Sequence, residues 1–271
     1  MCECNSKRLE CFYKAKFAEQ LERYEDMVKY MKQAINLSGP DLCVEERNTF
    51  SVSYKNIVSG LRSAWRLLTT ISERTEDSAT NCNENRIALE YRIVIEEDLR
   101  RYCKEVVDLL DSSLLTRAIT PEAEVFYQKM KGDYYRYLAE VCSNDDPEQK
   151  EIVAKSKDAY ESAMQIATNQ LGSANPTRLG LALNYSVFYY EILNLAEDAC
   201  SLAQKTFDDA IADLDEVDGD CYRDSALIIQ LLRDNLALWK TEKVNDENTA
   251  SSTDVNEVDK DHKQEICPED A

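Results

Sequence analysis

The stretch that decides the fold class starts at Thr120-Pro121-Glu122-Ala123 and continues into FYQKMKGDYYRYLAEV at Phe126–Val141. A threonine before a proline is a helix start. Its hydroxyl can cap, and proline in the first helical position gives up an N–H that would lack a partner there anyway. Lys129, Asp133 and Arg136 then recur at i, i+4 and i+7, which sets them on one helix face with Tyr137 adjacent. Asn144-Asp145-Asp146-Pro147 and Ser173-Ala174-Asn175-Pro176 repeat the same start signal further along.

Outward from these starts the chain reads as a succession of helices. Asn5 to Leu37 forms two, with Leu9, Phe12, Phe17 and Leu21 spaced for a helical face, and Ser38-Gly39-Pro40-Asp41 ends the pair. Val44 to Ser72 keeps helical periodicity through Gly60, which a helix tolerates at a cost of about 1 kcal/mol. EDSATNCN at Glu76–Asn83 is a polar connection, and Asn85 to Leu115 is a second long amphipathic helix. Further helices run from Pro176 to Leu193, Ala196 to Leu214 and Tyr222 to Trp239. With only 6 Gly and 5 Pro in 271 residues, breakers are scarce. The expectation is an all-α fold of about nine helices joined by short loops, so that neighbours pack antiparallel. No 34-residue self-similarity supports a tetratricopeptide array. The organisation expected is one helical domain over 1–240 and an acidic, disordered tail over 241–271, where large apolar residues almost vanish.

Composition excludes several functions. A formal net charge of −20 opposes nucleic acid and anionic membrane as general partners. No run approaches the roughly 20 apolar residues of a membrane helix. MCECNSKRLE lacks the apolar segment of a secretory signal, so a soluble intracellular chain is expected, in the cytoplasm and, as a second location, the nucleus. The 10 cysteines are scattered without a C-x-x-C pair, and the 1 histidine, His262, lies in the tail. Reduced thiols, mostly buried, are expected, with no metal or other cofactor. Catalysis has no Gly-rich phosphate loop, no nucleophile elbow and no histidine base, so no enzyme is expected.

The cations carry more information. Lys55, Arg62 and Arg66 lie at i, i+7 and i+11, within about 20° of one line along a helix, with Tyr54 and Trp65 beside it. This stripe and the Lys129, Asp133, Arg136 stripe, with Tyr137 near, are the residue types that hold a tetrahedral dianion. Arginine supplies forked donors, lysine a point charge and tyrosine a further hydrogen bond. Asp133 is suited to hold an arginine in place. Cations on helix faces also serve as solvated surface paired with neighbouring acids, and the stripes alone leave both readings open.

Longer segments add a resemblance. RNTFSVSYKN at Arg47–Asn56, RSAWR at Arg62–Arg66, FYQKMKGDYYRYLAEV at Phe126–Val141, RLGLALNYSVFYYEIL at Arg178–Leu193 and YRDSALIIQLLRDNLALW at Tyr222–Trp239 closely resemble the 14-3-3 family, and the likeness extends from Lys14 to Trp239. The resemblance implies nine antiparallel helices forming a cup with an amphipathic groove, paired into a dimer. It implies a non-enzymatic adaptor for phosphoserine or phosphothreonine segments of client proteins. By position, Lys55, Arg62, Arg136 and Tyr137 are the expected phosphate pocket, with Arg66 and Lys129 alongside. Asn184 and Asn235 are expected to bond the ligand main chain. Leu183, Val187, Leu227, Ile228 and Leu231 are the expected apolar wall, closed by Trp239, with Asp133 and Glu191 orienting basic groups or touching the ligand. Helix-packing core remains an alternative role for some wall residues.

For the dimer, homomeric or with another 14-3-3 chain, the resemblance points to Phe17, Leu21, Tyr91 and Val94 as apolar contacts and to Arg23 with Asp98 as an ion pair. Asp26 faces Val94 where the family has a basic partner, and Asn83 replaces a common lysine opposite Glu10. Ala64 stands where many members carry a regulatory serine, so phosphorylation cannot control the dimer there. The rival expectation is a helical scaffold that binds peptides without regard to phosphate.

Overall fold

The computed structural model describes residues 2–37, 39–76, 82–142, 146–216 and 219–250. Among them are nine α-helices and no strand. The chain forms two compact units, Met1–Ala159 and Tyr160–Ala271.

The first unit holds α1 (Cys2–Gln20), α2 (Tyr24–Asn36), α3 (Val44–Glu76), α4 (Cys82–Leu109), α5 (Pro121–Val141) and the first half of α6 (Pro147–Gln170). A three-residue turn joins α1 to α2, with Glu22 in the left-handed region at φ 55° and the Arg23 N–H donating to the Ala18 carbonyl at 2.9 Å. α2 buries Met27, Val28, Met31, Ala34 and Ile35, a stripe at helical spacing. Arg8 is buried on α1 and fastens the α2–α3 loop, donating to Glu46 through Nε and Nη2 and to the Pro40 carbonyl through Nη1. Phe50, Tyr54 and Val58 of α3 are buried, as are Leu99, Cys103 and Val106 of α4.

The expected start of α5 is present: the Thr120 hydroxyl accepts from the Ala123 N–H at 3.2 Å, with Pro121 next in line. Sequence places the end of α4 at Leu115; the structure ends it at Leu109 and continues through a π turn (Leu110–Leu114) and a 3₁₀ turn (Leu115–Arg117). The α1 face needs correction. Phe12 is buried, but Leu9, Phe17 and Leu21 are exposed together with Tyr13. Leu9, Tyr13 and Phe17 follow one i, i+4, i+8 line, whereas Phe12 lies about 60° to its other side.

The second unit holds the rest of α6 with α7 (Pro176–Glu191), α8 (Ala196–Asp213) and α9 (Gly219–Ala250). The Asn175 side chain caps α7, accepting from the N–H groups of Thr177 and Arg178. Asn194 takes the left-handed conformation, φ 54°, in the turn to α8, a role its short polar side chain tolerates. α7 and α9 run side by side in the same direction. The Ser225 hydroxyl donates to the Ala174 carbonyl at 2.6 Å where they begin, and Tyr190 stacks on Trp239 where α7 ends. Leu179, Leu183, Val187, Ala199, Ala203, Ile228, Leu232 and Trp239 belong to the core of this unit. α9 continues past Trp239 to Ala250, ten residues or so into the segment read as a tail; the remainder, 251–271, lies outside the described residues.

Candidate functional site

The cation stripes of α3 and α5 meet in the first unit. Glu140, 78 residues along the chain from Arg62, joins them: Arg62 Nε donates to Oε2 at 2.7 Å and Arg66 Nε to Oε1 at 2.6 Å. Tyr137 packs between two guanidiniums, with Arg62 Cζ 4.2 Å and Arg136 Cζ 4.8 Å from its ring centroid. Both distances are within the range of cation–π attraction. Asp133 stands between Lys129, whose Nζ donates at 3.0 Å, and Arg136, whose Nη2 lies 3.8 Å away. Arg62 and Arg136 are each only 3% exposed, Tyr137 is buried, and Lys55, Arg66 and Lys129 are half-buried.

Electrostatics follows from this packing. Lys55, Arg62, Arg66, Lys129 and Arg136 are five cations on the two stripes, against the carboxylates of Asp133 and Glu140. The local sign is opposite to that of the molecule. Burial pushes the Glu140 carboxyl upward, but the charges and hydrogen bonds of Arg62 and Arg66 outweigh it and hold the group below its ordinary range. Cys103 lies beneath the cluster, where burial pushes its thiol well up despite the nearby Arg62 charge, so it is an inert core residue. Tyr54, beside the stripe in sequence, is fully buried and donates to Glu105 at 2.5 Å.

Glu140 is absent from the sequence-based set, although its signal was present. Lys129, Arg136 and Glu140 repeat the i, i+7, i+11 spacing of Lys55, Arg62 and Arg66. An acid at the third position of one stripe, opposite a stripe of cations, is the natural counter-charge.

In the second unit α7 carries Leu183, Asn184, Val187 and Glu191, and α9 carries Leu227, Ile228, Leu231, Asn235 and Trp239. These residues divide by exposure. Leu183, Val187, Ile228 and Trp239 are buried members of the core, and Asn235 is buried too. Asn184 and Leu231 are half-buried, while Glu191 and Leu227 are exposed. The exposed or half-buried members are therefore Asn184, Glu191, Leu227 and Leu231, and the buried ones pack behind them in the core.

The residues expected at a dimer contact all lie in the first unit. Phe17 and Leu21 are 60% and 68% exposed at the end of α1, and Tyr91 and Val94 are exposed on α4. Arg23 pairs with Asp26 within the chain at 2.5 Å, and Asp98 with Arg101 at 2.7 Å. Cys11, Cys43, Cys103, Cys142, Cys200 and Cys221 are free thiols, of which only Cys103 and Cys142 are buried, so the expectation that most are core residues fails for these six. Among the described residues no three or more His, Cys, Asp or Glu gather as a metal site, and no helix is long and apolar enough to cross a membrane.

Comparison with known proteins agrees with the segments quoted above. The family model described as "14-3-3 protein" matches residues 14–240. The chain is 50% identical over 241 residues to 14-3-3-like protein 2 of Caenorhabditis elegans, covering 89% of this chain and 95% of that one. It is 51% identical over 238 residues to 14-3-3 protein beta/alpha-A of Xenopus laevis, covering 88% and 95%. With 14-3-3 protein theta of Mus musculus the identity is 49% over 245 residues, covering 90% and 98%.

Proposed function

This chain belongs to the 14-3-3 family, and on that premise we propose that it is an adaptor that binds phosphoserine and phosphothreonine segments of client proteins. The observation that supports this most is the α3–α5 cluster, where Glu140 bonds Arg62 and Arg66 and the Tyr137 ring contacts Arg62 and Arg136. A phosphoserine brings a charge of about −1.5 to −2 and three acceptor oxygens. Each bond from a guanidinium, the Lys55 ammonium or the Tyr137 hydroxyl to those oxygens is worth roughly 1.5–3 kcal/mol. An unmodified hydroxyl offers neither that charge nor those acceptor oxygens, so binding is selective for the phosphorylated segment. Asn184 and Asn235 bond the ligand main chain, which tolerates varied side chains, and Leu227 and Leu231 with the packed residues behind them give an apolar surface. Lys129 and Asp133 support Arg136, and Glu191 borders the α7 side. The protein acts without cofactor or catalysis, in the cytoplasm, with the nucleus as a second location.

A phosphate-independent scaffold would bind through the apolar surface and respond little to salt. Raising ionic strength from about 0.05 to about 0.5 M is expected to weaken binding of a phosphoserine peptide roughly tenfold or more, because screening acts on the charge pairs. Salt-insensitive binding favours the scaffold.

Two copies are proposed to associate through the exposed Phe17, Leu21, Tyr91 and Val94, with Arg23, Asp26 and Asp98 at the edge. Exposed ion pairs contribute only about 0–1 kcal/mol, so the apolar contact carries the association and Val94 does not prevent it. Sedimentation at micromolar concentration is expected to show twice the mass of the chain; a single-chain mass removes the dimer.

A further inference from the structure

Residues 241–243 begin the segment that reads as the tail, yet Glu242 and Lys243, with Lys240 before them, are bonded back onto the second unit. The Tyr190 hydroxyl at the end of α7 donates to the Glu242 carboxylate on α9. The Tyr190 ring lies flat on the Trp239 indole, with centroids 4.7 Å apart and planes 14° from parallel. Lys243 Nζ donates to Glu197 Oε1 at 2.9 Å and Lys240 Nζ to Gln204 Oε1 at 3.3 Å, both on α8. The two lysine contacts are exposed and contribute little. The Tyr190–Glu242 bond is part-buried and charge-assisted, so it is the stronger fastening.

Its place in the fold gives it a purpose. α7 and α9 are joined near their beginnings by Ser225 and Ala174 and again, where α7 ends, by Tyr190, Trp239 and Glu242. The α7 and α9 residues proposed to hold the ligand lie between these two fastenings or one residue beyond. Helix ends fray when nothing holds them; α7 ends at Glu191, and Tyr190 beside that end is held by Glu242, one turn beyond Trp239 on α9.

We infer that Tyr190 and Glu242 are positioning residues of the peptide-binding surface. They clamp Trp239 against α7 and so fix the spacing of the helix pair that carries Asn184 and Asn235. Residues 241–243 belong to the frame of that surface and not to the tail. This deepens the adaptor reading and rests on it.

The test uses the full chain, Glu242→Ala, Glu242→Gln and a chain ending at Trp239. A phosphoserine peptide of about twelve residues is expected to bind Glu242→Ala and the shortened chain roughly three- to tenfold more weakly. N-acetyl-phosphoserine amide, which has no extended main chain, is expected to compete equally well in all four proteins. Glu242→Gln keeps the acceptor and is expected to stay within about twofold of the parent. Unchanged or tighter peptide binding by the shortened chain overturns the inference, as does a parallel loss for the small phosphoserine probe, which would mark general unfolding. Trp239 fluorescence in a Trp65→Phe background separates this inference from the adaptor reading. If the parent binds no phosphopeptide, the adaptor reading fails, while a red shift on Glu242→Ala still supports the clamp and unshifted emission overturns it.

Discussion

Arg62→Ala is expected to weaken phosphoserine-peptide binding about ten- to a hundredfold, and Arg136→Ala to do the same. One lost charge-assisted bond to phosphate is worth roughly 1.5–3 kcal/mol, and each 1.4 kcal/mol is a factor of ten. Both guanidiniums are nearly buried and flank the Tyr137 ring, so solvent screens them poorly and neither can be replaced by a neighbour swinging in. Arg62→Lys separates charge from shape. It keeps the cation but loses the fork and the stacking on Tyr137, and an intermediate loss is expected. Fluorescence anisotropy with one labelled peptide across the three variants decides it, each variant being checked first for cooperative unfolding. Unchanged affinity in either alanine variant removes that residue from the pocket.

The second large effect concerns Glu140. Removing one partner from a buried ion pair leaves the other uncompensated, and such changes cost about 3–5 kcal/mol. Arg62 is nearly buried, but the Arg66 side chain is about one-third exposed, so the lower end, about 3 kcal/mol, is the expectation for Glu140→Ala at neutral pH. The pH dependence has a definite sign. Folding lowers the Glu140 pKa from its ordinary 4.5, so the stability this carboxylate contributes is complete above that value and is lost as pH falls through the depressed one. Urea unfolding of the parent should therefore weaken more steeply in the acid range than that of Glu140→Ala. Equal stability at pH 7, or identical acid profiles, would show that Glu140 does not hold the two arginines.

Much of this molecule was legible before its structure, for physical reasons. Thr120-Pro121 and Asn175-Pro176 announce helix starts through local chemistry, and both caps form. The stripes at i, i+7 and i+11 follow from helix periodicity, so the meeting of α3 and α5 needed only that both faces turn inward. Residues whose roles depend on contacts far along the chain were not legible in this way. Glu140 reads as one more acid in an acidic chain until Arg62 and Arg66 are placed against it. Glu242 reads as tail composition until Tyr190 is found beside it. The α1 face was misread because its apolar residues serve two surfaces: Phe12 packs inward while Leu9, Tyr13 and Phe17 line the outside. Hydrophobicity gives the count of such residues but not their destination.

One pair of peptides decides whether the α3–α5 cluster reads phosphate. A fluorescent phosphoserine peptide and its unphosphorylated twin would be titrated by anisotropy against the parent and against Lys55→Glu, which reverses a charge on the α3 stripe. Micromolar or tighter binding is expected of the phosphopeptide alone, and its loss in Lys55→Glu. Equal binding of both peptides, or of neither, would contradict it and leave a 14-3-3 fold without a phosphate-reading function.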